Sequence, residues 1–216
     1  MDSLLYDLPA LTIRRISVSE MDNNVYLLTA KASGAQLLID AADDLPAIQQ
    51  LLTDSAADTS ATPELKLIAT THQHWDHVRA LAALVEATDA PTAAGADDAD
   101  ALPVRVDRRL GHGDTVAVDG FELAAVHLRG HTPGSIAFVY QDPEGPAHIF
   151  SGDSLFPGGV GNTQQDPERF SQLMSDVTER LFGTYPDTAV VHPGHGKPTT
   201  LGAERPHLEE WRARGW

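Results

Sequence analysis

The sequence predicts an α/β fold in which two mixed β-sheets are sandwiched between layers of helices. Each half of the chain begins with short strands and continues into a helix, giving about ten strands in total. No segment resembles an interdomain linker, and 216 residues with 42% hydrophobic side chains suffice for one sizeable core. We therefore expect a single domain over residues 1–216, built as a four-layer αββα sandwich.

The first half contains four expected strands and two expected helices. Short apolar runs bounded by turn residues predict strands at Thr12–Ser17, Val25–Thr29, Gln36–Ile39 and Leu65–Ala69. Apolar residues at helical spacing predict helices at Leu45–Thr53, with Pro46 in the first turn, and at Val78–Thr88. An Ala- and Asp-rich loop with room for one short helix then runs from Pro91 to Leu102.

The second half repeats the order of strands before helix. The expected strands are Thr115–Val118, Phe121–Leu128, Ser135–Tyr140, Ala147–Phe150 and Thr188–Val191. Asp119-Gly120 and the Asp-Pro-Glu-Gly run at 142–145 are good hairpin signals between them. The expected helices are Pro167–Phe182 and Ala203–Arg212.

Charge and composition exclude several classes of protein. The formal net charge of −16 disfavours a nucleic-acid or anionic-membrane partner, since either would favour a basic surface. The absence of cysteine removes disulfides, thiolate zinc sites and cysteine nucleophiles together. Arg14 and Arg15 interrupt the N-terminal region before it reaches the apolar length of a signal peptide, and no apolar run is long enough to span a bilayer. We therefore expect a cytoplasmic protein that acts on a small molecule.

The most informative segment is His72-Gln73-His74-Trp75-Asp76-His77, which directly follows an expected buried strand. In extended chain, residues two apart project to the same side, so His72 and His74 can converge on one point. Asp76 and His77 lie where a helix is expected to begin, and they therefore face another direction. A lone His-x-His is often just two exposed imidazoles. Three imidazoles and a carboxylate within six residues instead predict a metal site, with room for two ions.

Three later segments also place potential metal ligands just after an expected strand. They are Gly130-His131-Thr132-Pro133-Gly134, Ser151-Gly152-Asp153-Ser154 and His192-Pro193-Gly194-His195-Gly196. Their glycines allow unusual backbone dihedrals and close approach to a bound ion. Packing alone does not require His, Asp and Gly at four strand ends, so these segments are predicted to form one metal centre.

Together these segments resemble the metallo-β-lactamase superfamily, whose first motif is His-x-His-x-Asp-His. The glyoxalase II branch is most similar, since its motif commonly reads Thr-His-x-His-Trp-Asp-His, as Thr71–His77 does here. The resemblance extends from the first strands to His195 and implies the metallo-β-lactamase fold. It implies that one metal is held by His72, His74 and His131, that the other is held by Asp76, His77 and His195, and that Asp153 bridges the two.

This ligand set implies a binuclear hydrolase. Imidazole and carboxylate donors suit two divalent ions, with zinc expected first and iron or manganese also compatible. Two such ions can share a hydroxide that attacks a carbonyl, and Asp76 is expected to orient it as well as to bind metal. In glyoxalase II the substrate is a thioester of glutathione with a hydroxyacid. A thioester of a low-molecular-weight thiol is therefore the expected substrate.

The sequence departs from glyoxalase II after the last ligand. Only 21 residues follow His195, whereas the full-length enzymes continue into a helical domain that supplies basic residues for glutathione. Lys197 and Arg205 are the remaining candidates for substrate binding, and a thiol other than glutathione is open. Around the metals, Asp40 is expected either to orient a ligand histidine or to cap a helix. His192 is either a neighbour of the ligands or a structural residue, and Trp75 is expected to pack the motif loop.

Two other activities of the same fold are alternatives. A lactonase would share all seven ligands. A persulfide dioxygenase with a single iron would keep the first metal group, but that branch typically carries a Gly-Arg-x-Asp-Phe segment after the bridging aspartate. Here the corresponding residues 159–163 read Gly-Val-Gly-Asn-Thr, which favours the hydrolase. The glycines of residues 158–161 lack the Lys-Ser/Thr of a phosphate-binding loop and are expected to form a wall of the active-site mouth.

Overall fold

The first half of the chain forms a seven-stranded sheet in the computed structural model, which describes residues 3–215. The strands lie side by side in chain order: β1 Leu4–Asp7, β2 Leu11–Val18, β3 Asn23–Ala30, β4 Ala35–Ile39, β5 Glu64–Thr70, β6 Thr92–Gly95 and β7 Arg108–Leu110. Strands β1 to β4 are antiparallel, and β4 to β7 run parallel. Strand β3 is buried along its whole length because both faces of the sheet are covered.

The second half forms a six-stranded mixed sheet in the order β15-β14-β11-β10-β9-β8. Its strands are β8 Thr115–Val118, β9 Phe121–His127, β10 Ile136–Gln141, β11 Ala147–Gly152, β14 Val190–Pro193 and β15 Thr199–Thr200. Among the pairs of these described strands, only β11–β14 is parallel, and the helix Pro167–Val177 lies between those two strands in the chain. A separate two-stranded hairpin consists of β12 Leu155–Phe156 and β13 Gly159–Val160.

Five α-helices lie outside the sheets in the described residues: α1 Leu45–Asp54, α2 Leu81–Thr88, α3 Pro167–Val177, α4 Leu201–Glu204 and α5 Leu208–Arg214. Helices α1 and α3 begin with proline close behind an aspartate that accepts hydrogen bonds from backbone amides of the first turn, Asp44 in α1 and Asp166 in α3. No described helix is both long and apolar enough to cross a bilayer.

Three apolar layers confirm the four-layer αββα architecture. Leu28 and Leu37 of the first sheet meet Phe138 and Phe150 of the second in the central layer. The outer face of the first sheet packs against α1 and α2, and that of the second packs against α3 and α5, where Trp211 is almost fully buried. Burial of apolar surface in these three layers is the main stabilising contribution to the fold.

Two predicted helices differ from the observed ones for identifiable reasons. The helix predicted at Val78–Thr88 begins only at Leu81, because Val78 has a φ of −134°, outside the helical region, and the amides of Arg79 and Ala80 donate to the carbonyls of Ala42 and Ala41. The predicted helix Ala203–Arg212 is divided into α4, a 3₁₀ turn at Arg205–His207, and α5. Pro206 has no N–H to donate to the preceding turn, so the regular helix is interrupted there.

One regular helix is shorter than predicted, and the chain contains additional short strands. Helix α3 ends at Val177, and a π-helical turn at Thr178–Phe182 completes the predicted span to Phe182. Strands β1, β6, β7, β12, β13 and β15 were not predicted. Each has four residues or fewer, which is too short for a clear apolar alternation. The predicted loop at 91–102 contains β6 and a 3₁₀ turn at Ala99–Ala101.

Candidate metal centre

Four loops meet at one edge of the sandwich, and they carry the seven predicted ligands. They follow the C-terminal ends of β5, β9, β11 and β14. Hydrogen bonds tie the loops to one another: the Ile136 amide donates to the Thr71 carbonyl at 2.8 Å, and the Gly194 amide donates to the Gly152 carbonyl at 2.8 Å. Residues remote in sequence therefore lie together because the two sheets place these strand ends at the same edge.

The seven side chains fall into three overlapping groups. Within each group, the ligand atoms lie within 4.8 Å of one another. The groups are His72, His74 and His131; His72, His77 and Asp153; and Asp76, His77 and His195. We call these seven residues the ligand cluster. His72 and His77 each belong to two groups, so the cluster is continuous.

Asp153 lies between the two ends of the cluster. Its Oδ1 is 3.4 Å from His77 Nε2, and its Oδ2 is 3.6 Å from His131 Nε2 and 3.5 Å from His195 Nε2. Gly194 is needed beside it, because a Cβ at that position would collide with Asp153 Oδ1 and with the ring of His77. The carboxylate can therefore contact ions held by either end.

Unpartnered buried atoms test whether this cluster fits a metal. His72 Nε2, His131 Nε2 and Asp153 Oδ1 are buried and find no hydrogen-bond partner among residues 3–215. Leaving a buried polar atom unpaired costs about 1–3 kcal/mol, so such atoms usually have a partner, which can be a protein group, a water or an ion. Two imidazole nitrogens and a carboxylate oxygen are suitable donors to a divalent cation, and the residues present therefore fit metal binding.

The two ends of the cluster differ in their titration. Burial lowers the pKa of His72 well below its usual value and also lowers the pKa values of His74 and His131. Burial acts in the same direction on His77, but interactions with Asp153 and Asp40 outweigh it and raise the pKa of His77 to about 10. The first three imidazoles are therefore neutral near pH 7, and the carboxylates around His77 favour a positive charge at the other end.

Asp40 links the first motif to the end of strand β4. Its carboxylate accepts from the Thr71 amide and hydroxyl, each at 2.7 Å, and lies 3.0 Å from His77 Nδ1. The contact fixes the ring of His77 with Nε2 directed into the cluster. Helix α1 is capped by Asp44 instead, which accepts from the Ala47 amide. Of the two predicted roles, the observed contacts correspond to orientation of a histidine.

The turn between β2 and β3, together with the first two residues of β3, orients the second end of the cluster, and no sequence pattern predicted this. The side-chain amide of Asn23 donates to Asp76 Oδ2 at 2.9 Å, and the Met21 carbonyl lies 2.7 Å from His195 Nδ1. Asn24 donates to the carbonyls of Pro193 and Gly196. Asp22-Asn23-Asn24 reads as an ordinary turn, and only the packing of the sheets brings it to the site.

Asp98 joins two ligand loops and was also missed. It is fully buried and accepts from the Gln73 amide, the Thr132 hydroxyl and the Gly134 amide at 2.6–2.9 Å. Those hydrogen bonds hold the loop of His74 against the loop of His131. In the sequence Asp98 lies in an Asp-rich stretch and cannot be distinguished from its neighbours.

The remaining predicted residues have other surroundings. His192 is buried, 3.0 Å from His148 Nδ1 and stacked on Phe150. Arg205 pairs with Asp187 and lies over the Phe182 ring, while Lys197 is exposed just beyond the His195 loop. None of the recorded hydrogen bonds or ion pairs within residues 3–215 joins these three side chains to the ligand cluster.

Trp75 does not pack the motif loop as predicted. Its side chain is 61% exposed, and the guanidinium of Arg79 lies 3.9 Å from the ring centroid. The two neighbouring ligands take up the inward-facing positions of the 3₁₀ turn at Trp75–His77, so the tryptophan is directed outward.

A cavity of about 730 Å³ lies beside the cluster, and we call it the side cavity. Its lining residues are Phe156, Val160, Gly161, Asn162, Thr163, Gln165 and Gly215. The Asn162 carbonyl is 2.8 Å from His131 Nδ1, and the Phe156 ring centroid is 6.4 Å from that of His195. The side cavity therefore borders both ends of the cluster, and Val160 and Gly161 are part of its wall.

Known proteins resemble this chain over most of its length. Hydroxyacylglutathione hydrolase of Jannaschia sp. (strain CCS1) is 39% identical over 173 residues, which are 80% of this chain and 59% of that protein. The chain thus spans less than two thirds of the length of that curated relative.

Solved structures share the fold. ETHE1 from Myxococcus xanthus has a TM-score of 0.76 and 29% identity, covering 91% of this chain and 82% of that one. TTHA1623 in a di-iron-bound form has a TM-score of 0.70 and 33% identity, covering 88% and 96%. The sequence model of the metallo-beta-lactamase superfamily matches residues 19–195, a range that contains the whole ligand cluster. With its αββα sandwich and the His and Asp residues at its edge, this chain belongs to the metallo-beta-lactamase superfamily.

Proposed function

We propose that the protein is a metal-dependent hydrolase that binds two divalent ions and cleaves a thioester of a low-molecular-weight thiol. The observation that carries this proposal is the position of Asp153 between two complete groups of ligands, three histidines on one side and Asp76, His77 and His195 on the other. Similarity to hydroxyacylglutathione hydrolases supports the substrate class.

Each group is assigned one ion. His72, His74 and His131 would hold the first ion, Asp76, His77 and His195 would hold the second, and Asp153 lies where its carboxylate could serve both. Zinc is the proposed metal, and iron or manganese also suits these donors. When bound, two such ions lower the pKa of a water towards about 7 and polarise a carbonyl.

Asp76 has a second role in this proposal, which is to orient the attacking water. A carboxylate has about four lone-pair positions, so Asp76 can accept from Asn23 and still contact a metal and a water. The hydrogen bond from Asn23 holds the carboxylate in one orientation before substrate arrives. The histidines act as metal ligands in this proposal. For His77, His131 and His195, a contact at Nδ1 directs Nε2 into the cluster.

A single-iron persulfide dioxygenase is the second candidate, and the likeness to ETHE1 favours it. Such an enzyme requires the first group and Asp153 alone. The completeness of the second group supports the two-metal hydrolase instead. A lactonase would use the same seven residues and would differ from the proposed hydrolase only in its substrate.

Metal analysis coupled to turnover tests the proposal. We expect about two metal equivalents in the purified protein and hydrolysis of thioesters in a panel that also contains lactones and a persulfide. One iron per chain with oxygen consumption on the persulfide would replace the hydrolase by the dioxygenase, and selective turnover of lactones would replace it by the lactonase.

Substitution of single ligands tests the site. Asp153→Ala and His74→Ala should abolish hydrolysis and reduce bound metal, while circular dichroism shows an unchanged fold. Asp119→Ala, in an exposed hairpin turn, is the matched control for Asp153→Ala. Full activity and unchanged metal content in either ligand variant would contradict the assignment.

A further inference from the structure

The side cavity has an uncharged lining. Phe156 and Val160 supply apolar surface, and Asn162, Thr163 and Gln165 supply neutral amide and hydroxyl groups. No acidic or basic side chain is among its lining residues in the described part of the chain. A cavity of this kind can hold an apolar chain and hydrogen-bond an amide, but it offers no cation to offset the desolvation of a carboxylate.

Two arginines approach the same loops, and both are engaged. Arg169 donates from Nε to the Gly130 carbonyl, from Nη1 to Gln164 Oε1 and from Nη2 to the His131 carbonyl. Arg214 donates to the Gly158 carbonyl at 3.2 Å. In the same turn the Gly158 amide donates to the Glu204 carboxylate at 2.9 Å. Both guanidinium groups therefore already donate hydrogen bonds to the loops that form the cavity wall.

Two exposed apolar residues adjoin ligand residues of the cluster. Met21 and Trp75, 45% and 61% exposed, are the exposed large hydrophobic residues in the described part of the chain. Both adjoin ligands, since the Met21 carbonyl contacts His195 and Trp75 immediately precedes Asp76. The net charge of −16 further disfavours anionic ligands.

We propose that the side cavity binds an uncharged arm of the substrate, so that the enzyme prefers neutral thioesters to thioesters of an anionic thiol such as glutathione. This inference rests on the proposed thioester hydrolysis and specifies which thioesters the enzyme prefers. A carboxylate entering the cavity would lose its hydration without meeting a cation, whereas an acylated amine could hydrogen-bond Asn162 or Gln165.

Binding of two thioethers tests the cavity independently of catalysis. S-hexylglutathione and S-hexyl-N-acetylcysteamine share the alkyl group and carry a thioether in place of the thioester, so isothermal titration of the metal-loaded protein reports binding without thioester hydrolysis. We expect the neutral thioether to bind about tenfold more tightly or better. Equal affinity, tighter binding of the glutathione derivative, or no binding of either would overturn the proposal.

A charge introduced into the cavity provides a second test. Gln165→Lys places a cation among the lining residues, and it should tighten binding of S-hexylglutathione about threefold to tenfold while changing the neutral thioether less than about twofold. Gln49→Lys makes the same charge change on an exposed position of helix α1 and should alter neither affinity. An equal gain in both variants would show that net charge alone acts, and would contradict a role for the cavity.

Turnover of S-lactoylglutathione and S-lactoyl-N-acetylcysteamine separates the two proposals. Faster hydrolysis of the neutral ester, measured as kcat/KM, supports both. Faster hydrolysis of the glutathione ester overturns the specificity and retains the hydrolase. Hydrolysis of neither ester, together with preferential binding of the neutral thioether, overturns thioester hydrolysis and supports the neutral cavity.

Discussion

Two groups of buried imidazoles lie in this fold, and they have different environments. The ligand cluster lies at the edge of the sandwich, and His148 and His192 form a pair between the sheets. Both contain buried ring nitrogens without a hydrogen-bond partner among residues 3–215, Nε2 of His72 and His131 in the cluster and His148 Nε2 and His192 Nδ1 in the pair. Burial and an unpartnered nitrogen are therefore common to both.

The direction of the ring nitrogens and the presence of a carboxylate distinguish the ligand cluster from the His148–His192 pair. In the pair, His148 Nδ1 contacts His192 Nε2 at 3.0 Å, the rings stack, and Tyr6 and Tyr26 pack against them. No carboxylate forms an ion pair with either ring in the described residues. In the cluster, the Asp153 carboxylate lies 3.4–3.6 Å from the Nε2 atoms of His77, His131 and His195. A metal site therefore requires convergent lone pairs and nearby negative charge, beyond buried histidine alone.

The largest effect should come from matched substitutions in the two groups. His131→Gln should lose at least one metal equivalent and reduce activity roughly a hundredfold or more, because a ligand itself is removed. His192→Gln should retain its metal and most of its activity, because its recorded contacts are with the inter-sheet core. Metal analysis and thioester turnover measure both, and equal metal loss in the two variants would remove the distinction between the groups.

A smaller effect is expected for Asp40→Asn, which alters the contact behind a ligand. Asp40 accepts from Thr71 and contacts His77 Nδ1, so the amide should loosen both and lower metal affinity about tenfold to a hundredfold. Competition with a chromophoric chelator measures the change. Asp44→Asn is the matched control, because asparagine caps a helix as well as aspartate does. The same loss in both variants would indicate a general destabilisation.

The acid sensitivity of the pair is an effect on folding stability that does not involve metal binding. Burial lowers the pKa of His192 from 6.5 to about 3, so the folded protein keeps the ring neutral while the unfolded chain takes up a proton below pH 6.5. Its contribution to stability is complete above pH 6.5 and is lost progressively as pH falls towards 3. The unfolding free energy should decrease by about 1.4 kcal/mol per pH unit from this residue.

Urea denaturation between pH 7 and pH 4 measures this slope. His192→Gln does not titrate at that position and should show a shallower slope than the parent protein. Identical slopes in the two proteins would mean that His192 is accessible to protons in the folded state.

Much of the fold was predictable because its signals are local. The αββα architecture follows from apolar runs and turn residues, as in Val25–Thr29 and Asp119-Gly120, which depend only on neighbouring residues. The short strand β6 and the breaks at Pro206 and Val78 were not predicted. The apolar run of β6 is too short to predict a strand. After Val78, the carbonyls of Ala41 and Ala42 that accept from the chain belong to a segment distant in sequence.

The sequence by itself determined the candidate ligands, since each of the seven follows an expected strand and belongs to a recognisable motif. Only the tertiary structure decided what surrounds them. Asn23, Asp98 and the side cavity have no local signal, because their contacts are made across segments 25 to 172 residues apart or by the packing of loops against the sheet edge. Trp75 and His192 show the same limit, since both flank ligands in the sequence yet one faces outward and the other lies in the core between the sheets.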